Sequence, residues 1–465
     1  MKLIKRIVSA AAALCLASTA FAYSTKQAKD FGFSFSAGAA DSGKYESEDL
    51  SLSYDVLDDG TVEITKYISS ASKDIVLPSV IDGKKVTRIG ENAFEYGSSL
   101  TSVTIPDSVT SIGKRAFYRC FSLTSVTIPD SVTSIGDSAF YECDKLTSIT
   151  IPDSVTSIGA FTFSSCDSLT SITIPESVTS IGANAFSSCD SLASITVLND
   201  NKNYSDIDGV FFNKEQSELI CYPAGRTNDS YIIPDSVTSI GYQAFAFCSS
   251  LTSITIPDSV TSIGQFAFEN CSSLISVTIP DSVTSIGNYV FYECDKLTSI
   301  TIPDSVTSIG EQAFALCSSL TSITIPDSVT SIGYSAFGDC SSLTSITILN
   351  PDCEIYDEGY TICNYLDFEY GKCVYDGVIY GYAGSTAQEY AEKYNRTFIA
   401  LDELGVQGDV NNNGFFSISD MVTMQKWLLN DDVQLANWKN GDLNNDGVLD
   451  VFDLVLMRQL IVERM

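Results

Sequence analysis

Through the middle of the chain the apolar positions recur in a fixed phrase. In one copy they are Leu123, Val126, Ile128, Val132, Ile135, Ala139, Phe140 and Cys143, spaced by Ser, Thr and Asp. The alternation Ser125-Val126-Thr127-Ile128 has the period of a strand, with Val126 and Ile128 inward and Ser125 and Thr127 outward. Pro129 has no N–H to give a ladder and ends that strand. Val132 and Ile135 form a second inward pair, Gly136 allows a corner, and Ala139 and Phe140 fill the core beside Cys143. The phrase returns with Pro106, Pro129, Pro152 and Pro175, and again with Pro234, Pro257, Pro280, Pro303 and Pro326, at a step of 23 residues within each run. A fixed period of this length marks a solenoid, in which each coil buries its apolar face only against its neighbours. About a dozen coils stacked roughly 4.8 Å apart predict a rod about 60 Å long.

The copies differ mainly in two dipeptides, such as Lys114-Arg115 and Asp137-Ser138 before Ala-Phe, and Tyr118-Arg119 and Tyr141-Glu142 after it. Variation among copies in one chain marks these as exposed sites. The recurring acids Asp107, Asp130, Asp153, Glu176 and Asp235 read as turn residues, with side chains able to bond local backbone.

The pattern also divides the chain. Residues 1–22 read as a signal peptide: Lys2, Lys5 and Arg6, then a short apolar core, then Ala20-Phe21-Ala22. Residues 23–49 read as a flexible leader rich in small and polar residues. Residues 50–401 are the solenoid. It opens on a hairpin around Asp58-Asp59-Gly60, which caps the first coil. It is broken by a larger, hairpin-bearing coil at 199–231 and closes with a cap at 349–401, where Ser385–Tyr394 predict a short helix and Arg396–Ala400 a last strand. Residues 402–465 change character and form a separate unit.

The net charge of −32 lacks the basic footprint of a nucleic-acid binder and disfavours docking on an anionic membrane. No apolar run after the signal is long enough to span a bilayer. The chain has no histidine, which removes Ser–His and Cys–His catalysis and histidine-ligated zinc. Paired carboxylates remain available to a glycosidase, but outside the solenoid and the C-terminal unit no segment is long enough for a catalytic domain.

Of the 14 cysteines, nine follow the Ala-Phe pair: Cys120, Cys143, Cys166, Cys189, Cys248, Cys271, Cys294, Cys317 and Cys340. Stacked in register, their Cβ atoms stand at the coil spacing of roughly 4.8 Å, too far apart for a disulfide, so they read as a ladder of buried thiols. Cys221, Cys353, Cys363 and Cys373 lie in irregular segments, where pairing stays open.

The C-terminal unit carries recognisable chemistry. Asp409, Asn411, Asn413, Phe415 (by its carbonyl), Ser417 and Asp420 fall at positions 1, 3, 5, 7, 9 and 12 of a calcium loop, with Gly414 at position 6. Asp442, Asn444, Asp446, Val448 (carbonyl), Asp450 and Asp453 repeat the set 33 residues later. Oxygen-only donors suit two calcium ions better than transition metals. Each loop opens an amphipathic helix, with Met421, Met424 and Leu428 matched by Leu454, Met457 and Ile461. The first loop has two carboxylates and the second four, so the second is expected to bind calcium more tightly.

Two resemblances follow. The unit Ile-Pro-Asp-Ser-Val-Thr-Ser-Ile-Gly-x-x-Ala-Phe-x-x-Cys-x-Ser-Leu-Thr-Ser-Ile-Thr strongly resembles the BspA-like bacterial leucine-rich repeats. That resemblance covers about residues 50–401 and implies a non-catalytic β solenoid used in adhesion or in protein and surface binding. The duplicated loop–helix units of about residues 405–465 resemble a type I dockerin, a small all-α calcium-binding module that plugs into a cohesin on a cellulosome scaffoldin. Carried onto this sequence, the cohesin-reading positions are Ile418, Ser419, Gln425 and Lys426, and Val451, Phe452, Arg458 and Gln459. The halves are unlike there, which argues against a symmetric two-way docking mode.

Taken together, these features imply a secreted, extracellular or cell-surface, non-catalytic binding or structural protein held on a cohesin-bearing scaffold. The rod would meet a host, bacterial-surface or plant cell-wall ligand. The alternative is a polysaccharide-binding accessory protein of plant cell-wall degradation, with outward Ser/Thr rows and Tyr118, Tyr141, Phe161, Phe247, Tyr289 and Tyr292 against sugar; a glycoside hydrolase ranks below both.

Overall fold

The computed structural model describes residues 41–367, 372–401, 407–411, 416–429, 433–436, 438–444 and 447–463. The expected signal peptide and the first part of the leader, residues 1–40, lie outside them. The rest of the leader departs from the expectation of a flexible segment. Asp41–Glu46 forms a strand antiparallel to Ser51–Val56, which pairs in turn with Val62–Ser70 around Gly60. The cap is therefore three-stranded, and its last strand hands over to the first coil by pairing Val62–Ile64 in parallel with Val86–Ile89.

The repeats form a β solenoid of about 14 turns. Neighbouring coils pair in parallel at the 23-residue offset: Ser111, Ser134, Ser157 and Ser180 form one ladder, and Ser253, Ser276 and Ser299 form another. The alternation holds, with Val126 and Ile128 buried and Ser125 and Thr127 exposed. Phe94, Phe117, Phe140, Phe163 and Phe186 stack face to face at 5.0–6.0 Å between ring centres, all within 13° of parallel. Phe245, Phe268, Phe291, Phe314 and Phe337 do the same at 5.2–5.4 Å.

The hydroxyls and thiols of the repeat also stitch coil to coil. In the Pro-Asp-Ser-Val turn it is the serine that bonds, not the acid: Ser131 Oγ donates to the Val109 carbonyl at 2.6 Å and Ser154 Oγ to Val132 at 2.6 Å. Asp107, Asp130, Asp153, Glu176 and Asp235 are exposed on the coil edge. All nine repeat cysteines are buried and free. Each thiol faces the carbonyl of the aromatic residue 26 positions before it, at 3.1 Å for Cys120 to Phe94 and 3.2 Å for Cys166 to Phe140. Burial pushes the Cys120 thiol up to about 12. Of the cysteines left open, Cys363 pairs with Cys373, and Cys221 and Cys353 are free.

Two expectations about the coil change. Gly136 does not turn a corner with a left-handed backbone; it makes room. A Cβ on it would lie 2.6 Å from the Lys114 nitrogen and 2.7 Å from the Gly113 carbonyl carbon, so the glycines stack directly on one another. The variable dipeptides are not simply exposed. Their second members sit in the left-handed region, as Arg115 (φ 53°), Arg119 (φ 58°), Ser138 (φ 54°) and Glu142 (φ 53°) show. Several variable residues are buried, among them Ser164, Phe266, Glu269 and Asn270. A left-handed non-glycine residue costs about 1–2 kcal/mol, and the coil offsets that cost with hydrogen bonds. The N–H groups of Arg115, Phe117 and Arg119 donate to Asp137, Ala139 and Tyr141 of the next coil at 2.7–2.8 Å, and those between them close turns within the coil.

The irregular coil divides the core. Val210–Asn213 pairs antiparallel with both Tyr204–Ile207 and Glu218–Cys221. Phe211 belongs to the apolar cluster running from Leu50 to Val197, while Val210 and Phe212 belong to the one running on to Ala391. At the far end a helix and a last parallel strand follow the repeats. Helix α1 (Thr386–Lys393) starts at Ser385, whose side chain accepts from the Gln388 N–H, and Thr397–Ala400 adds in parallel to Val378–Gly381.

Candidate metal centre and docking face

In the C-terminal unit, helices α2 (Ile418–Leu428) and α3 (Val451–Glu463) each follow one loop. The loops start alike because their last carboxylate reaches back across them. Asp420 takes the Asn411 N–H on Oδ1 at 3.3 Å and the Ser417 N–H on Oδ2 at 2.9 Å. Thirty-three residues on, Asp453 takes the Asn444 N–H on Oδ1 at 3.3 Å and the Asp450 N–H on Oδ2 at 3.0 Å. In both, the twelfth residue ties the third and ninth positions of its loop to the first turn of its helix. Ser417 closes a capping box with Asp420, and Asp450 plays the equivalent part by accepting the Phe452 N–H at 2.8 Å. Asp442 accepts from Gly447, which has φ 80°.

The donor set fits a hard cation. Asp420 and Asp453 are completely buried and Asp409 is 1% exposed. No lysine or arginine among the described residues pairs with Asp420 or Asp453. Asp420 accepts two backbone N–H groups and the Ser417 hydroxyl, and Asp453 accepts the Leu443, Asn444 and Asp450 N–H groups. A buried carboxylate needs compensation for its charge, and an ionised carboxylate has about four lone-pair sites, so one is left on each. Of the neutral candidates, Ser417 Oγ lies 3.0 Å from Asp420 Oδ2. Asn413, Phe415 and Asp446 lie outside the described residues, as does Gly414. Among the described residues no three acidic or thiol side chains converge on one point, so a cation here would rely on amide and carbonyl oxygens as well.

The two halves are locked together. Asn440 Nδ2 donates to the Asp409 carbonyl at 2.9 Å, and the Gly408 N–H donates to the Asn440 carbonyl at 2.5 Å. Val410, Met424 and Met457 are fully buried, packed by Phe416, Leu428, Leu435, Leu443, Leu449 and Leu454. Of the expected helix faces, Met421 and Ile461 stay partly exposed. Their share of the core goes to loop residues. Val410 and Leu443 stand at loop position 2, Phe416 and Leu449 at position 8, each pair 33 residues apart, so the duplication in the sequence carries this correspondence too.

All eight candidate partner-contact residues, Ile418, Ser419, Gln425, Lys426, Val451, Phe452, Arg458 and Gln459, are exposed. Phe452 is 68% exposed, which removes its alternative role as a core residue. Val422 and Val455, also 33 residues apart and exposed, extend Ile418 and Val451 by one turn on α2 and α3.

The fold and this module define the class: a leucine-rich repeat solenoid carrying a duplicated loop–helix unit. The chain belongs to the BspA-type leucine-rich repeat family, whose profile matches residues 87–217 and 225–344, and residues 407–462 match the type I dockerin domain. Among solved structures, a leucine-rich cell surface protein from Faecalibacterium prausnitzii is 36% identical, over 69% of this chain and 96% of that one, with a TM-score of 0.48. The pneumococcal vaccine antigen PcpA is 21% identical over 77% of this chain and 98% of that one, with a TM-score of 0.59, a likeness of fold alone. A leucine-rich repeat protein from Eubacterium ventriosum is 25% identical over 66% and 90%, with a TM-score of 0.46. No curated protein matches. No helix among the described residues is long and apolar enough to cross a membrane.

Proposed function

We propose that this chain is a secreted, non-catalytic binding rod that the C-terminal module attaches, through calcium, to a cohesin on a cellulosome scaffold. The observation carrying the reading is the duplication at Asp420 and Asp453. Two buried carboxylates in equivalent hydrogen-bond settings brace two helices that expose Ile418, Val422, Val451, Phe452 and Val455. Bound calcium would supply positive charge between the loop oxygens. The chain's own part is to hold Asp409, Asp420, Asp442, Asp450 and Asp453 with their neutral partners, and to fix the angle of α2 and α3. Ser419 against Phe452, and Gln425 against Arg458, make the two helix faces chemically different, which favours one docking orientation. Domain limits of 50–401 for the rod and 402–465 for the module belong to the same reading. The test is retention of the full chain on an array of cohesin modules: wild type is retained and Phe452→Asp is not, whereas equal retention of both removes the docking face.

A second reading has its own observation. Tyr118 and Tyr141 stack at 5.0 Å, and the Arg119 guanidinium lies 5.2 Å from the Tyr118 ring and 5.9 Å from that of Tyr96. Tyr96 adds an edge-on ring at 5.9 Å from Tyr118. Such aromatic steps suit a polysaccharide ligand on the rod. Co-sedimentation with insoluble xylan or cellulose, lost in Tyr118→Ala, would favour it; no sedimentation would remove it.

A further inference from the structure

The solenoid is interrupted once, and the interruption leaves backbone groups without partners. In one regular coil the N–H groups of Phe161, Phe163 and Ser165 donate to Ala183, Ala185 and Ser187 of the next at 2.8–2.9 Å. The equivalent groups of that next coil, on Asn184, Phe186 and Ser188, find no acceptor among the described residues. The irregular coil that follows sends Phe211 into the core but lays no turn alongside. The strand ladder stops at the same level, ending at Ser180–Ile181 and resuming at Glu218–Leu219. Ile181 is accordingly half-exposed, while Ile112, Ile135 and Ile158 at the same position are buried.

What remains is a cleft of about 310 Å³ between the coil of Gly182 and the coil of Gly241. Asn184 and Phe186 present N–H donors on one wall. On the other, the Tyr242 carbonyl accepts no N–H, although its counterparts on Lys114, Asp137 and Ala183 each accept one from the coil before. Glu218 is the one charged side chain among the lining residues.

We propose that this cleft takes an extended peptide segment of a partner protein, bearing a lysine or arginine that meets Glu218. Along the other regular coils of the turn ladder, Ser335 at the far end excepted, the thing that satisfies these N–H and C=O groups is another stretch of polypeptide. The free donors come at two-residue intervals, with an acceptor on the opposite wall, and the side-chain hydrogen bond between Asn184 and Tyr242 that spans the gap is one an incoming segment would displace. A backbone that alternates carbonyl and N–H along its length satisfies both walls, as in strand addition to a sheet edge. The volume admits a short segment, not a folded surface.

The experiment pans a phage-displayed random heptapeptide library on the full chain, then measures the enriched peptides by fluorescence anisotropy. Ala183→Tyr plugs the cleft at a position that already carries tyrosine in other coils (Tyr242, Tyr334), so folding is retained; Glu218→Gln removes the charge. The expected result is enrichment of Lys- or Arg-containing peptides, binding abolished by Ala183→Tyr and weakened roughly tenfold by Glu218→Gln. Amide exchange adds a readout on the free chain: Asn184, Phe186 and Ser188 exchange faster than Phe161, Phe163 and Ser165 and slow when peptide is added. No enrichment, binding indifferent to both variants, or equal protection of the two sets without peptide would overturn the proposal. So would protection of the same amides by xylo-oligosaccharide alone, which would give the cleft to a glycan.

Discussion

Phe211 and Phe212 are consecutive residues that occupy different hydrophobic cores. Both are fully buried on opposite faces of one short strand, Phe211 against the coils before it and Phe212 against the coils after it. The aromatic stack records the break, turning from 3° between Phe163 and Phe186 to 88° between Phe186 and Phe211. The rod is thus two stacks joined through one strand whose two faces serve two interiors.

Truncating either ring should therefore loosen one stack and spare the other. Phe211→Ala and Phe212→Ala are each expected to cost about 3–5 kcal/mol, as for other large-to-small changes in packed cores. Hydrogen exchange should place the first loss in amides near Ile172–Val197 and the second near Ile240–Ile256. Equal loosening of both regions by either variant would mean that the cores are one.

Stability should fall as pH rises through the mildly acidic range, because of one buried acid. Burial pushes the Glu269 carboxyl from 4.5 up to about 7, against the hydrogen bond it accepts from Gln243 at 2.9 Å and with help from Glu293 nearby. Between those values the folded chain holds a proton that the unfolded chain has released. Folding is then penalised progressively as pH rises, by up to about 3 kcal/mol above the window. Glu269→Gln should flatten this component in denaturant midpoints taken at both ends of the window, and an unchanged pH profile would contradict it.

Gly136→Ala should destabilise the rod although alanine is the smallest addition. Its Cβ would meet Lys114 and Gly113 backbone at 2.6–2.7 Å, and backbone cannot swing aside as a side chain can. A loss of roughly 1–3 kcal/mol, the usual cost of overpacking, is expected in thermal unfolding. A neutral Gly136→Ala would mean that the coils are spaced more loosely.

Calcium should separate the two loops. The first has carboxylates at Asp409 and Asp420, the second at Asp442, Asp446, Asp450 and Asp453. Affinity follows charge count and rigidity, so calorimetry on Asp420→Ala should retain the tighter event and Asp453→Ala the weaker. The reverse order would show that rigidity outweighs charge.

These residues also show where sequence reading succeeds. Phe140 and Cys143 were legible as core because their neighbours in space are copies of themselves, so the period carries the packing. The loops were legible because oxygen donors at fixed spacing have one common use. Gly136 is ambiguous in the sequence because a positive φ and a close approach both ask for glycine, and only the position of the preceding coil separates them. Variation among copies at positions such as Glu142 suggests solvent, yet Glu269 at the neighbouring variable position is buried. The left-handed backbone at those positions is set by cross-coil hydrogen bonds, which the side chain does not announce. At Phe211-Phe212 the period lapses, and with it the information about which core each ring enters.

The central claim is that calcium-braced helices dock this rod. Surface plasmon resonance of the full chain on immobilised type I cohesins, with calcium and then with EGTA, tests it most directly. The expected result is binding in calcium to at least one cohesin, dissociation on chelation, and recovery when calcium returns. A complex that persists unchanged in EGTA, or no binding to any cohesin while calcium occupies both loops, would contradict it.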